Sequence, residues 1–416
     1  MKSSFFKIVL VVLCLVFFTE TSKGIPAFSR KYKTSCSTCH YAFPMLNGFG
    51  EAFKNNGYRY PEGRDPEMTK EEPISLGSEA YKRVWPDAIW PADIPGNSTF
   101  SAHAIGRINY AAMSPVKWEF EMPHELELLY GGTIGEDFSF FGELELENDL
   151  NALEIAFPFA LQFDHNPALH VRAGMVHADP SPNGHRLSRN HYNIASFKTR
   201  NGWRFRDEQV GVEVWGAGNN AGSSGGFTYR VGVVNGQGIS DINPQKDIYG
   251  KATYKIGGLG EIGGAEGGDS QVSEFYLDNS VTVGGFFYKG TASKTGAKDE
   301  DFTIFGGDVD YWQDRMILNG MLMLMNSDIP NTTSRSSMAY YAQCNYIVYP
   351  WLIGFARYEW EDKDTNIDAV KPVNAIIPGV TVMARANVKF ILEVKKFLDK
   401  ANEKNDTFVL QMNFGI

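Results

Sequence analysis

The chain has 416 residues, 43% of them hydrophobic and 13% aromatic, with 42 glycines and a formal net charge of -10. An acidic balance without a basic face excludes a nucleic-acid binder, and the moderate polarity excludes a helical membrane protein. Many aromatics and glycines at such polarity fit a transmembrane β-barrel, whose strands are only half apolar.

The first predicted element is a leader. Lys2 and Lys7 precede the apolar run Ile8 to Phe18, which gives way to Thr19-Glu20-Thr21-Ser22-Lys23-Gly24. A basic start, a short apolar stretch and the small residues Ser22 and Gly24 form a secretory signal peptide over residues 1–24, cut before Ile25. The run is shorter than the about 20 residues that a spanning helix needs. Cys14 follows Leu13 rather than a small residue, so it is expected to leave with the signal and not to carry lipid. Cys36, Cys39 and Cys344 remain.

Next comes Thr34-Ser35-Cys36-Ser37-Thr38-Cys39-His40. Its C-x-x-C-H spacing is that of c-type haem attachment. Two thiols three positions apart can each add to one vinyl group of a porphyrin, and the adjacent imidazole can reach the iron. A thioredoxin-like pair would want a βαβ context, and a zinc site a second ligand pair; the sequence offers neither. The expected cofactor is one covalent haem c, anchored by Cys36 and Cys39, with His40 as metal ligand. The opposite axial position stays open between Met45, Met68, His103 and a vacant or water-filled site. After the motif, Pro44 is expected to open a helix with Leu46, Phe49 and Phe53 on one face and Gly57 closing it. Pro61 to Pro95 reads as a linker, with one short helix near Ser78 to Val84. A unit of about 70 residues has too little core to stand without a staple such as a covalent cofactor.

From Asn97 the period changes to two. In Leu153 to Phe163 every odd position is large and apolar; Phe138, Phe140, Leu144 and Leu146 alternate with Glu143, Glu145 and Glu147; Phe408, Leu410, Met412, Phe414 and Ile416 repeat the pattern. The segments predict about sixteen strands of about ten residues, enough to cross a bilayer tilted. Short turns at Gly135-Glu136-Asp137, Asp164 to Pro167, Gln313-Asp314-Arg315, Tyr349-Pro350-Trp351 and Arg385-Ala386-Asn387 alternate with long polar connections at Ala178 to Glu208, Thr291 to Glu300, Asp328 to Ser337, Glu361 to Val373 and Lys400 to Asp406. Short on one side and long on the other is how outer-membrane barrels are built. One glycine-rich region, Gly257 to Asp278, fits the parity only loosely.

Alternation also sorts the charges. With the odd positions of Leu153 to Phe163 and the even ones of Trp118 to Leu146 toward lipid, Glu119, Glu121, Glu125, Glu127, Glu143, Glu145, Glu147 and Glu154 face the lumen. Such a wall either concentrates a hard cation such as Fe²⁺ or pairs with lumen arginines and the basic residues Arg30, Lys31 and Lys33; charge-laced lumens favour pairing. The basic connection Asp179 to Asp207 reads as a solvated loop, Cys344 as a small apolar residue on the lipid face, and Met321, Met323 and Met325 as packing against the plug rather than as metal ligands.

The run Ile25-Pro26-Ala27-Phe28-Ser29-Arg30, the haem motif, then Phe43-Pro44-Met45-Leu46-Asn47-Gly48-Phe49-Gly50-Glu51-Ala52-Phe53 and Asn56-Gly57-Tyr58 resembles the N-terminus of porin-fused monohaem c-type cytochromes. That group includes outer-membrane iron-oxidising cytochromes. The resemblance covers Ile25 to about Tyr60 and is architectural beyond. Ile416 departs from it, since such barrels usually end in an aromatic residue.

The resemblance implies a head in or under the barrel, Cys36 and Cys39 as thioether anchors, His40 as proximal ligand, and one haem linking the two sides of the outer membrane. The expected protein is therefore mainly β: a transmembrane outer-membrane barrel over residues 97–416 with a small α-helical cytochrome c head or plug and linker over residues 25–96. Its expected work is electron transfer between a periplasmic c-type cytochrome and an extracellular metal ion or other redox partner. Iron oxidation is the direction that the resemblance implies; reduction of an extracellular acceptor is equally open. The alternative is a solute porin whose haem domain is a redox-responsive plug or sensor.

Overall fold

The computed structural model describes residues 27–72, 74, 83–84, 100–149, 152–156, 159–178, 208–222, 224–236, 243–264, 277–292, 299–328, 334–367, 371–399, 402 and 404–415. The predicted signal peptide, most of the Ser78 to Val84 helix and the basic connection Asp179 to Asp207 lie outside them.

Among the described residues, period-two patterning becomes strand in each segment where it was read. The barrel strands are β1 (Phe100–Ala111), β2 (Trp118–Ile134), β3 (Phe138–Asp149), β4 (Ala152–Ala156 with Phe159–Asn166) and β5 (Leu169–His177). Then follow β6 (Glu208–Asn219), β7 (Ser224–Val234), β8 (Asp247–Leu259), β9 (Ser280–Ala292), β10 (Glu300–Gln313) and β11 (Met316–Asp328). The last are β12 (Arg335–Tyr349), β13 (Leu352–Asp362), β14 (Val373–Arg385), β15 (Val388–Phe397) and β16 (Thr407–Gly415). Both pieces of β4 pair with β3 in one register, Glu145 with Ala156 and Gly142 with Phe159, so they make a single crossing. All neighbours are antiparallel, and β16 pairs with β1 from Thr407–Ala111 to Gly415–His103, closing a sixteen-strand barrel.

Alternation sets the two faces. On β11 the odd residues Ile317 to Met325 are buried, while Leu322 and Leu324 are each 43% exposed. Phe120, Leu161, Phe163, Val231, Val283 and Phe305 extend the same outward apolar band. Cys344 lies on that face, paired with Leu318. Met122 to His124 insert two extra residues opposite β1, and because two is a full period the carboxylates on either side keep their face.

The turns at Gly135 to Asp137, Pro167-Ala168, Asp314-Arg315, Pro350-Trp351 and Ala386-Asn387 gather at one mouth, and the longer connections open at the other. Two connections break the rule: β8–β9 is a longer one at the short-turn mouth, and β3–β4, with two residues between Asp149 and Ala152, is a short one at the other. A closed barrel with an apolar girdle and this asymmetry is an outer-membrane protein; no helix among the described residues is long and apolar enough to cross a membrane.

The N-terminal unit sits inside the short-turn mouth. It comprises α1 (Ala27–Tyr32), a 3₁₀ turn at Cys36–Thr38, a small hairpin of His40–Ala42 and Met45–Leu46, α2 (Gly48–Asn55) and α3 (Asp65–Met68). The helix expected from Pro44 begins four residues later. Pro44 occupies the hairpin turn, and Asn47 is the N-cap, its Oδ1 accepting from Gly50 N at 2.9 Å. Phe49 and Phe53 share the buried face, and Gly57 closes the helix at φ +67°. Arg59 clasps the unit to the wall, donating to Asp164 Oδ2 at 2.9 Å and to the carbonyls of Gly135 at 3.1 Å and Phe138 at 2.9 Å. On the opposite wall, Asn55 Nδ2 donates to Glu261 O at 2.7 Å, and Tyr41 packs edge-on against Trp312 at 5.0 Å.

Candidate functional site

The motif is bent around α2. Ser35 Oγ accepts from Ser37 N at 3.3 Å, starting the 3₁₀ turn that carries Cys36, and Cys39 N closes it on Cys36 O at 3.2 Å. Asn47 then ties the turn to the helix: its Nδ2 donates to the carbonyls of Ser37 and Thr38 at 3.3 and 3.1 Å, and its backbone N to Cys39 O at 2.9 Å. The helix approaches so closely that a Cβ on Gly50 would stand 2.0 Å from Cys39 O. Only glycine fits there.

Cys36, Cys39 and His40 all line one cavity of about 380 Å³. Its head wall is apolar and aromatic, with Phe28, Tyr32, Phe49, Phe53, Tyr58 and Tyr60. The barrel supplies the other wall through Leu129, Gly131, Phe141, Ala160, Gln162 and Arg172. Leu129 and Phe141 face inward, because Gly131 pairs with Phe141, Phe141 with Ala160, and Ser139 with the buried Gln162. Neither was singled out in the sequence. The available signal was the doubled apolar residues Leu128-Leu129 and Phe140-Phe141, which grease both faces of a strand.

The three motif residues have the chemistry a c-type haem needs. Both thiols are free. Burial pushes the Cys39 thiol up to about 12 and raises Cys36 as well, against a weak lowering contact from Ser29. A thiol–disulfide couple works through a lowered pKa, so this environment suits covalent anchors better than a redox pair. Burial also pushes the His40 imidazole down to about 4, leaving it neutral at ordinary pH, and its Nδ1 is buried with no hydrogen-bond partner. Two unpaired thiols, a neutral imidazole and an apolar cavity within the usual range for cofactor sites fit the group.

None of the three residues considered for the far side of the iron borders that cavity. Met45 is buried among Tyr41, Trp312, Ile317 and Ile353 on the other face of the hairpin. Met68 packs against the outside of the head cluster, with Arg64 Nη2 3.7 Å from its sulfur. His103 borders a neighbouring space with Cys36 and Phe43, its Nδ1 2.8 Å from Glu127 Oε2 and its Nε2 3.3 Å from Asn413 Nδ2.

The acidic wall is held from within the barrel. His103 meets Glu127, His124 lies 2.7 Å from Glu121 Oε2, and Asn109 also bonds Glu121. Lys31 pairs instead with Asp65 of the head at 3.2 Å and reaches Thr133 Oγ1 at 3.4 Å, while Lys33 is exposed. Arg59 joins head to wall at Asp164, a pairing the sequence reading did not foresee. The side chains of Glu147 and Glu154 lie outside the described residues. Among those described, no three His, Cys, Asp or Glu side chains converge as a metal site.

The fold and its girdle define an outer-membrane β-barrel, and comparison with known proteins bears on the barrel alone. No family model and no curated protein matches the chain. Among solved structures it is similar to an anion-selective porin from Comamonas acidovorans, at 13% identity and a TM-score of 0.51, over 76% of this chain and 99% of that one. The in-vitro folded OmpT of Vibrio cholerae, in its trimer form, aligns at 10% identity and a TM-score of 0.51, over 76% of this chain and 98% of that one. OmpF of Salmonella typhi, in complex with daunomycin, aligns at 12% and 0.50, over 76% and 97%.

Proposed function

We propose that the chain carries electrons across the outer membrane through one covalent haem c, between an extracellular donor or acceptor and a periplasmic c-type cytochrome. Fe²⁺ is the first donor to test. The observation that carries this reading is the convergence of Cys36, Cys39 and His40 on an apolar cavity whose second wall is the barrel itself. Bound there, the haem would supply a one-electron iron couple. In this reading Cys36 and Cys39 would anchor it through thioethers, and His40 would offer its neutral imidazole to the iron. Phe49, Phe53, Leu129 and Phe141 keep water from the ring, and a dry surround favours the less charged ferrous state.

A solute porin with a haem-bearing plug is the second reading, favoured by the barrel's likeness to porins. Against it, lumen-facing Tyr288, Phe302, Ile304, Met321, Met323 and Met325 are each at most 5% exposed. A water-filled channel along that wall would leave them wet.

The test is rapid mixing of the purified full-length protein with Fe²⁺ while the haem absorption is recorded. Reduction of the haem is expected. An attached haem that stays oxidised at every pH tried removes iron as donor, and a wild-type chain that carries no covalent haem removes the reading itself.

A further inference from the structure

We infer that Lys54 and Arg172 form the seat for the two haem propionates, so that the carboxylate edge of the ring faces the charged lumen. The inference rests on the haem reading above. A c-type haem has its two thioether bonds toward one edge and its two propionates on another. Once the first is tied to Cys36 and Cys39, the propionates are directed away from the cysteines. A carboxylate buried without partners is costly, so that end of the cavity must offer cations.

Among the described side chains that line the cavity, Lys54 and Arg172 are the two permanently charged ones. They also mark where the apolar lining ends. Leu46, Lys54 and Arg172 border both this cavity and a second, polar one of about 160 Å³, whose far side carries the ion pairs Lys251–Asp308 at 3.1 Å and Lys255–Asp278 at 2.8 Å. The Cys36 end adjoins different spaces, beside Phe43, Met383 and Ala386. Cys36 and the two cations therefore border different neighbouring spaces, as ring substituents directed to different edges require.

Both cations are preset and have donors to spare. Arg172 lies 5.4 Å over the Trp215 ring, and its Nε and Nη2 donate to Gln162 Oε1 at 3.1 and 2.8 Å. Its Nη1 is 3.5 Å from Glu213 Oε1. A planar guanidinium so fixed presents a fork to a carboxylate. Lys54 Nζ directs one bond to Glu51 at 3.1 Å, leaving two of its three protons for a second acceptor.

The experiment uses full-length protein whose covalent haem has been verified by haem staining on a denaturing gel. Lys54→Gln, Arg172→Gln, the double variant and Arg172→Lys are compared with wild type by resonance Raman spectroscopy of the propionate bending bands and by redox titration. Haem is expected to stay attached in all four. The bending bands shift in both Gln variants, and because loss of a cation favours the ferric state, the oxidised-to-reduced ratio at fixed potential rises about tenfold, 59 mV for a one-electron couple. Arg172→Lys retains most of the wild-type potential. Should Arg172→Gln fail to fold, Lys54→Gln alone carries the test, being on a partly exposed head residue. Attached haem with bands and potential unchanged in the Gln variants overturns the inference while leaving the haem reading intact; absence of haem in wild type overturns both.

Discussion

Gly50 and Asn47 decide whether the cysteine turn keeps its shape. With Cys39 O where a Cβ on Gly50 would stand, at 2.0 Å, Gly50→Ala forces turn and helix apart, an overpacking cost of about 1–3 kcal/mol. Asn47 is 2% exposed and serves the cap and two carbonyls. Asn47→Ala should cost about 3 kcal/mol, one for the cap and one for each lost bond. Denaturant melts of the head, followed by protection of the Cys36–His40 backbone from hydrogen exchange, check both. At this scale the sequence was informative where chemistry imposes spacing. Cys36, Cys39 and His40 were legible because a fixed interval between thiols and imidazole has few other uses. Leu129, Phe141 and Arg172 were not, because an inward position on a strand acquires its role only from what the fold sets opposite.

The elements of the head are joined to the barrel by a few polar clasps, and Arg59 is the chief one. Arg59→Met removes three contacts to the wall, while Asp164 keeps His170 Nδ1 at 2.8 Å and Gln162 Nε2 at 2.6 Å, an expected loss of about 3 kcal/mol in docking, about one for each lost bond. Limited proteolysis should then cut the head while sparing the strands. The hairpin adds a pH dependence. Burial raises the Tyr41 phenol far above its usual 10.0, and burial followed by the Asp65 carboxylate does the same for Tyr32. The folded state thus holds protons that the unfolded chain releases near pH 10, so this stability is full below pH 10 and is lost as pH rises above it. Tyr41→Phe should flatten that alkaline decline, read from denaturation midpoints and phenolate absorbance. Because the Tyr41 hydroxyl is buried without a partner, the same change should cost nothing at neutral pH. The start of α2 shows where element boundaries escaped the sequence. Proline at a first turn and asparagine at a cap both open helices, and only the hairpin's own pairing of Ala42 with Met45 removes Pro44 from the choice.

For the molecule as a whole, alternation and the parity of turn lengths made the barrel legible, because lipid outside and polar contacts inside permit few other patterns. The filling of the lumen was less legible, since the same alternation suits an open pore and a plugged one. Met321, Met323 and Met325 were expected to pack against the plug; they pack instead with Tyr249, Phe286, Tyr288 and Phe302 in one buried cluster that holds no residue of the head. Single-channel recordings in planar bilayers should therefore show conductance far below that of an open barrel of this strand number and, with the proposed haem bound, in both of its oxidation states. Large steady currents would instead favour the solute porin.

The seam between β16 and β1 unites the two ends of the chain, and it imposes an order of events in time. The head leaves the export machinery before any strand, yet one wall of its cavity comes from β1 to β5, and the spaces beside Cys36 are bordered by residues as late as Ala386 and Asn387. Once the last strand has found the first, Cys36 is buried and Cys39 half-buried between the head and that wall. If a haem is bonded there as proposed, its attachment is expected before the barrel closes around the head, and a chain that closes too early is expected to stay unmodified.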